Sequence, residues 1–179
     1  LEEDDEHVVL ISLDTVAAGE ALREAIIERL PEDGPDAGAL VMNATHTHTA
    51  PPTRGENFDS VKDKYGVDLP VMEVDDYIVF AADRIANAVM EAWEAREEGS
   101  VAFGLGQAVV GRNRRWVDVD GVSTMYGNTD TPNFSHIEGY EDHSLGVLAT
   151  YDAEGDLTGV IVNVACPSQE TEGMFELSA

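Results

Sequence analysis

The feature that most constrains the fold is the order of segments near the start of the chain: an apolar run, a stretch of helical spacing, then a second apolar run. Val8-Val9-Leu10-Ile11-Ser12-Leu13 is β-branched and aliphatic and predicts a buried strand. Over residues 16–30, Ala18, Leu22, Ala25, Ile26 and Leu30 recur at three- and four-residue steps, which predicts an amphipathic helix. Asp14 and Thr15 precede it as cap candidates. Residues 31–38 carry Pro, Asp and Gly and read as a loop, after which Ala39-Leu40-Val41-Met42 resumes as a strand.

Residues 49–74 read as irregular, with Pro51-Pro52, Gly55, Gly66 and Pro70 as breakers. A loop of that length is often a lid or a pocket wall. Residues 76–98 form the clearest helical pattern: Ile78, Ala81, Ala82, Ile85, Val89 and Trp93 share one stripe, and Gly99 is the expected stop. Residues 101–110 alternate around glycines as a strand. Two further strands, 145–151 and 157–165, flank the turn Asp152-Ala153-Glu154-Gly155-Asp156. The expected class is α/β, a mixed β-sheet layered with helices that include one long helix near 76–98.

Charge excludes some functions. Ten Lys and Arg stand against 36 Asp and Glu, a formal charge of −26. A nucleic-acid partner needs a clustered positive surface, and an anionic membrane would repel such a chain. No apolar run approaches the roughly 18 to 20 residues of a membrane-spanning helix. The single cysteine, Cys166, gives no disulfide framework. The start at Leu1 followed by an acidic run, and an end at Leu177-Ser178-Ala179 that closes no element, set the expectation of a fragment of a longer protein.

Chemistry concentrates at three places. In Thr45-His46-Thr47-His48 two imidazoles lie two residues apart at a strand end, and extended backbone would point both to one face. They could share a metal, or divide into ligand and acid/base; the plain alternative is one packed His and one solvated. Arg112-Asn113-Arg114-Arg115 gathers three of the ten basic residues. These are either surface ion-pair partners or a source of a guanidinium for a substrate oxygen. Cys166 ends an apolar strand before Pro167, as a core residue, a thiolate zinc ligand, or a nucleophile with His48 as its base. His136 and His143 flank a polar loop and read as solvated or capping, and His7 reads as exposed. Gly155-Asp156-Leu157-Thr158 reads as a turn, and neither a phosphate-binding glycine loop nor a Gly-x-Ser-x-Gly elbow is present.

Asn43-Ala44-Thr45-His46-Thr47-His48-Thr49-Ala50-Pro51 resembles the Thr-His-Thr-His-Ser-Gly/Ala-Pro motif of the neutral/alkaline, non-lysosomal ceramidases and their bacterial relatives. The resemblance runs in order through the strand ending at Asp14, the motif loop, the long helix, Asn113-Arg114 and the strand into Cys166-Pro167. It implies one ceramidase-like amino-terminal domain over 1–179, truncated at its C-terminal end. It also implies a zinc-dependent hydrolase of the N-acylsphingosine amide, with a lipid amide or other small acyl-amide as substrate. His46 falls on a zinc ligand, His48 on the His beside the substrate, and Arg114 on the arginine that contacts the substrate oxygen.

Cys166 stands where the family has a further zinc-binding His. A thiolate can bind zinc, but it changes ligand charge and softness and makes the metal a poorer Lewis acid. The family's remaining ligands, a Glu and a Tyr, and its Ser in Gly-Asp-x-Ser-Pro are not identifiable before Ala179, so this stretch alone should lack a complete site. A secreted or periplasmic location is expected, with no export signal in view. The competing readings are a related metal hydrolase of another amide or ester, a non-catalytic domain of the same fold, and a thiol enzyme using Cys166.

Overall fold

A computed structural model describes residues 1–4, 6–55, 58–66 and 71–166, with backbone alone for 58–61. The described chain forms two compact units, one over Leu1–Arg96 and one over Glu97–Cys166. Among the described residues, parallel and antiparallel strands combine with three α-helices, so the α/β expectation holds. Pro70 and the segment after Cys166, including Pro167, Ser168 and Leu177–Ala179, lie outside the described residues.

The first unit opens with a short antiparallel pair, β1 (Glu2–Glu3) and β2 (Glu6–His7), inside the acidic run. Strand β3 (Val9–Leu13) leads to helix α1 (Glu20–Ile27), which returns the chain to strand β4 (Leu40–Ala44). The two strands pair in parallel, from Val9 opposite Leu40 to Leu13 opposite Ala44. Parallel neighbours need such a crossover, because a tight turn cannot reverse the chain twice. Helix α1 starts later than its apolar spacing suggests, with Gly19 as N-cap, and residues 14–19 remain irregular. Asp14 and Thr15 therefore do not cap it; both support the histidine loop described below.

Residues 49–74 are not wholly irregular. Helix α2 (Phe58–Tyr65) interrupts them, and helix α3 (Val74–Glu94) begins before the predicted start. Helix α3 ends at Glu94, five residues before Gly99, which opens a strand instead of stopping the helix. The core of this unit is Leu22 and Ile26 of α1, Leu40 of β4 and Ala81, Ala82 and Ala86 of α3, all buried. Small side chains on α3 leave room for α1 to lie close, so the bulky Leu22 and Ile26 fill the space between. Leu22 and Ile26 are the two largest side chains with no exposure at all. Ile26→Ala should lower the unfolding free energy by about 2–5 kcal/mol, against about 0.5–1.5 kcal/mol for Ile26→Val. Urea titration of the two variants checks this, and equal midpoints would contradict the core assignment.

The second unit contains β5 (Gly99–Gln107), β6 (Trp116–Asp118), β7 (Ser123–Thr124), β8 (Phe134–Ile137), β9 (Ser144–Asp152) and β10 (Leu157–Val164). Strands β10, β9 and β5 form one antiparallel sheet, and β7, β6 and β8 a second. The predicted hairpin between β9 and β10 is present: Asp156 N–H donates to the Asp152 carboxylate at 2.7 Å, and Gly155 takes φ +90°. Gly99 is fixed by close approach, since a Cβ there would meet the Tyr151 carbonyl oxygen at 2.3 Å.

The larger sheet does not alternate apolar and polar residues. Phe103, Leu148 and Ile161 are register partners on one face, and Gly104, Val147 and Val162 on the other. Both faces thus read as strand made for burial, yet Phe103 is 70% and Leu105 78% exposed. Among the described residues no helix is long and apolar enough to cross a membrane.

Candidate functional site

The histidine loop grows directly out of the parallel pair. At the end of β3 and β4, Thr45 N–H donates to the Leu13 carbonyl at 2.9 Å, and His46 N–H donates to the Thr15 carbonyl at 3.0 Å. The Thr45 hydroxyl donates to the Asp14 carboxylate at 3.1 Å. Residues 14–17 are held in turn: the Thr15 and Thr53 hydroxyls both donate to the Ala17 carbonyl. Strand end, post-strand turn and following loop are thus tied together through the Leu13, Thr15 and Ala17 carbonyls.

The extended geometry expected for His46-Thr47-His48 is not what brings the rings together. Strand β4 ends at Ala44, and His46 adopts φ +66°, a left-handed conformation that costs a non-glycine residue energy. What offsets it is a ring contact: His46 Nδ1 lies 2.8 Å from the Val16 carbonyl oxygen. A carbonyl can only accept, so Nδ1 carries a proton there, which leaves Nε2 as the nitrogen that could bind a metal. Thr47 turns inward and is 3% exposed, while His46 and His48 face solvent. Their rings meet edge to face with centroids 5.0 Å apart. The pairing is as expected, although its cause is a left-handed residue braced by a carbonyl and not strand alternation.

The second unit carries the arginine segment and the cysteine. Arg114 is exposed, its guanidinium carbon 5.3 Å from the centre of the Tyr126 ring. Its neighbours are anchored. Asn113 N–H donates to Glu141 Oε1 at 2.8 Å, the Asn113 side-chain amide donates to the Glu138 carbonyl, and Asn113 Oδ1 accepts from Arg115 N–H at 2.9 Å. Arg115 pairs through Nε with Glu138, whose other oxygen accepts from the Ser123 hydroxyl at 2.7 Å. His143 Nε2 lies 2.9 Å from Glu141, so its ring belongs to this network and is not simply solvated. His136 contacts Ser135 from strand β8. His7, expected to be exposed, is half-buried edge-on to Trp93, with centroids 4.8 Å apart.

Cys166 is half-buried beside Gly111, where a Cβ would meet the Ala165 carbonyl at 2.9 Å and the Cys166 Sγ at 3.4 Å. The thiol therefore backs onto the head of the arginine segment, a contact that sequence spacing alone does not reveal. His46 and His48 belong to the first unit, and Arg114 and Cys166 to the second.

The Glu138 carboxyl is the most perturbed group described. Hydrogen bonds from Arg115 and then Ser123, aided by the Arg115 charge, hold it down at about 2, from an ordinary value of 4.5. Glu141 is lowered too, first by the Asn113 N–H and then by His143. A carboxyl whose folded value lies below its unfolded one stabilises the fold fully above the unfolded value, and loses that contribution as pH falls through the folded one. The Arg115–Glu138 clamp should therefore persist at pH 4 and open only near about 2. Carbon-detected NMR titration of the Glu138 carboxyl checks this, and a midpoint at 4 or above would contradict it.

As a metal centre the described residues fit in part. A ligand histidine characteristically gives its other N–H to a carbonyl or carboxylate, which fixes its tautomer, and His46 does this with Val16. Among the described residues no group of three or more His, Cys, Asp or Glu is gathered to hold an ion.

No protein-family profile matches the chain, and no curated protein matches it. Two solved structures do. A neutral ceramidase from Pseudomonas aeruginosa superposes with a TM-score of 0.61 at 21% identity, over 96% of this chain and 26% of that one. A ceramidase complexed with C2 superposes with a TM-score of 0.58 at 20% identity, over 96% of this chain and 25% of that one. The chain thus spans about a quarter of the length of the proteins it matches. At this identity the likeness is one of fold.

Proposed function

We propose that the chain is part of a zinc-dependent amide hydrolase resembling neutral ceramidase, which cleaves N-acylsphingosine to sphingosine and a fatty acid. The observation that carries the reading is His46, an exposed residue held left-handed at a strand end with Nδ1 on a backbone carbonyl. The fold shared with the ceramidases supports it.

In this reading His46 would hold the metal through Nε2, and Cys166 would be a further ligand by its place in the order of motifs. Bound zinc would supply Lewis acidity toward the scissile carbonyl and a water of lowered pKa. His48, edge-on to His46, orients the substrate amide and can carry a proton at its ring nitrogens. Arg114 offers N–H donors to the oxygen on which negative charge develops. Overall the amide C–N bond breaks, the acyl carbon takes the water oxygen, and the amine leaves with a proton. We place the protein in a secreted or periplasmic compartment.

Cys166 favours one second reading. A thiolate in place of a histidine adds negative charge at the metal and weakens its Lewis acidity, which suits a related hydrolase of a more reactive acyl-amide or ester. The experiment is an assay of the whole protein with N-acylsphingosine, short acyl-amides and acyl esters in parallel. Release of sphingosine at the highest kcat/KM supports the first reading. Preference for esters supports the second, and no hydrolysis of any by metal-loaded, folded protein would leave a non-catalytic domain.

A further inference from the structure

Segment 111–115 has no regular secondary structure, yet it is heavily braced. Irregular backbone holds a fixed shape only when its polar groups find partners. Here four of the bonds go to one place, residues 138–141, some 25 residues further along the chain. Glu138 N–H donates to the Arg115 carbonyl at 2.9 Å, and the Glu138 carboxylate grips the Arg115 side chain. The Glu138 carbonyl takes the Asn113 amide, and the Glu141 carboxylate takes the Asn113 backbone N–H. Asn113 Oδ1 accepts from Arg115 N–H, closing a turn with Arg114 at its apex.

The three arginines are thereby sorted. Arg115 is bound to Glu138, Arg112 acts electrostatically on Glu141, and Arg114 is carried outward over Tyr126. Clustered guanidinium groups repel one another, and the two carboxylates offset that repulsion. Each carboxylate is itself steadied on its far side, Glu138 by Ser123 and Glu141 by His143.

We infer that Glu138 and Glu141 are positioning residues for Arg114. They fix the turn so that its guanidinium stands where a substrate oxygen arrives. The inference rests on the role given to Arg114 under the proposed function. Misplacing a charged donor by about 1 Å costs on the order of 100-fold in rate, so partial loosening should cost about 10-fold.

The test is a double-mutant cycle in the whole protein, using Glu138→Gln and Arg114→Ala with N-acylsphingosine as substrate. Gln keeps the shape of Glu and removes the charge that grips Arg115. Glu138→Gln alone should lower kcat about 10-fold with KM within about twofold, and should speed amide hydrogen exchange at Asn113 and Arg115. In the Arg114→Ala background it should change kcat less than about twofold, because the residue it positions is gone. An equal factor in both backgrounds would overturn the positioning role while leaving Arg114 itself in place. If Arg114→Ala alone leaves the rate unchanged, the role of Arg114 fails and this inference falls with it. Should Glu138→Gln not fold, Ser123→Ala removes one brace from Glu138 and should show the same background dependence at about threefold. Independence from Arg114 there would likewise overturn the inference.

Discussion

Removing the imidazole of His46 should lower zinc affinity and hydrolysis of N-acylsphingosine by at least about 100-fold, since loss of even the partner behind a metal ligand costs 10- to 100-fold. The left-handed backbone at this position separates chemistry from stability. His46→Ala retains a Cβ at φ +66° and loses the bracing contact to Val16, so it should be less stable than the parent. His46→Gly also loses the ring, but glycine adopts that conformation without strain and should recover about 1 kcal/mol over alanine. Both variants should be equally poor in metal. Zinc titration followed by thermal melts distinguishes the two effects. A glycine variant that binds zinc as the parent does would show that His46 is only a strained loop residue.

Arg114→Ala should lower kcat by about 10²–10³-fold, the usual cost of losing one donor to a developing oxyanion. Arg114→Lys should recover little of it, because an ammonium cannot reproduce the planar fork and would sit differently over Tyr126. Thermal stability should fall far less than the rate, since the bracing of its turn runs through Asn113 and Arg115. Steady-state kinetics with matched melting curves checks both statements. A loss of stability in proportion to the loss of rate would assign Arg114 to the fold and not to substrate.

Much of the first unit is legible from periodicity alone. The apolar steps of α1 and α3 and the β-branched run of β3 each point to one structure, and burial follows the predicted stripes. Ends are less legible, because caps depend on side chains that have other work available. Asp14 and Thr15 look like caps but are recruited by the histidine loop. Helix α2 is hidden by the surrounding prolines and glycines, although Phe58, Val61 and Tyr65 do fall at three- and four-residue steps. Strands β6, β7 and β8 run only two to four residues, too short to show a period.

The candidate site divides in the same way. The residue types at 46, 48, 114 and 166 are visible because their chemistry is distinctive, and their motifs follow one another in a known order. The left-handed turn at His46 is invisible, since histidine only modestly favours that region and nothing local requires it. The bracing of Arg114 is equally hidden, because Glu138 and Glu141 are two carboxylates among 36 acidic residues. Long-range hydrogen bonds select those two, and no spacing rule reaches that far.

The central claim is that a metal held partly by His46 supports amide hydrolysis. The most direct measurement is the rate of sphingosine release from N-acylsphingosine by the whole protein, before chelation, after verified metal removal, and after zinc is restored. The account predicts activity that disappears with the metal and returns with zinc. An undiminished rate in metal-free protein would contradict it.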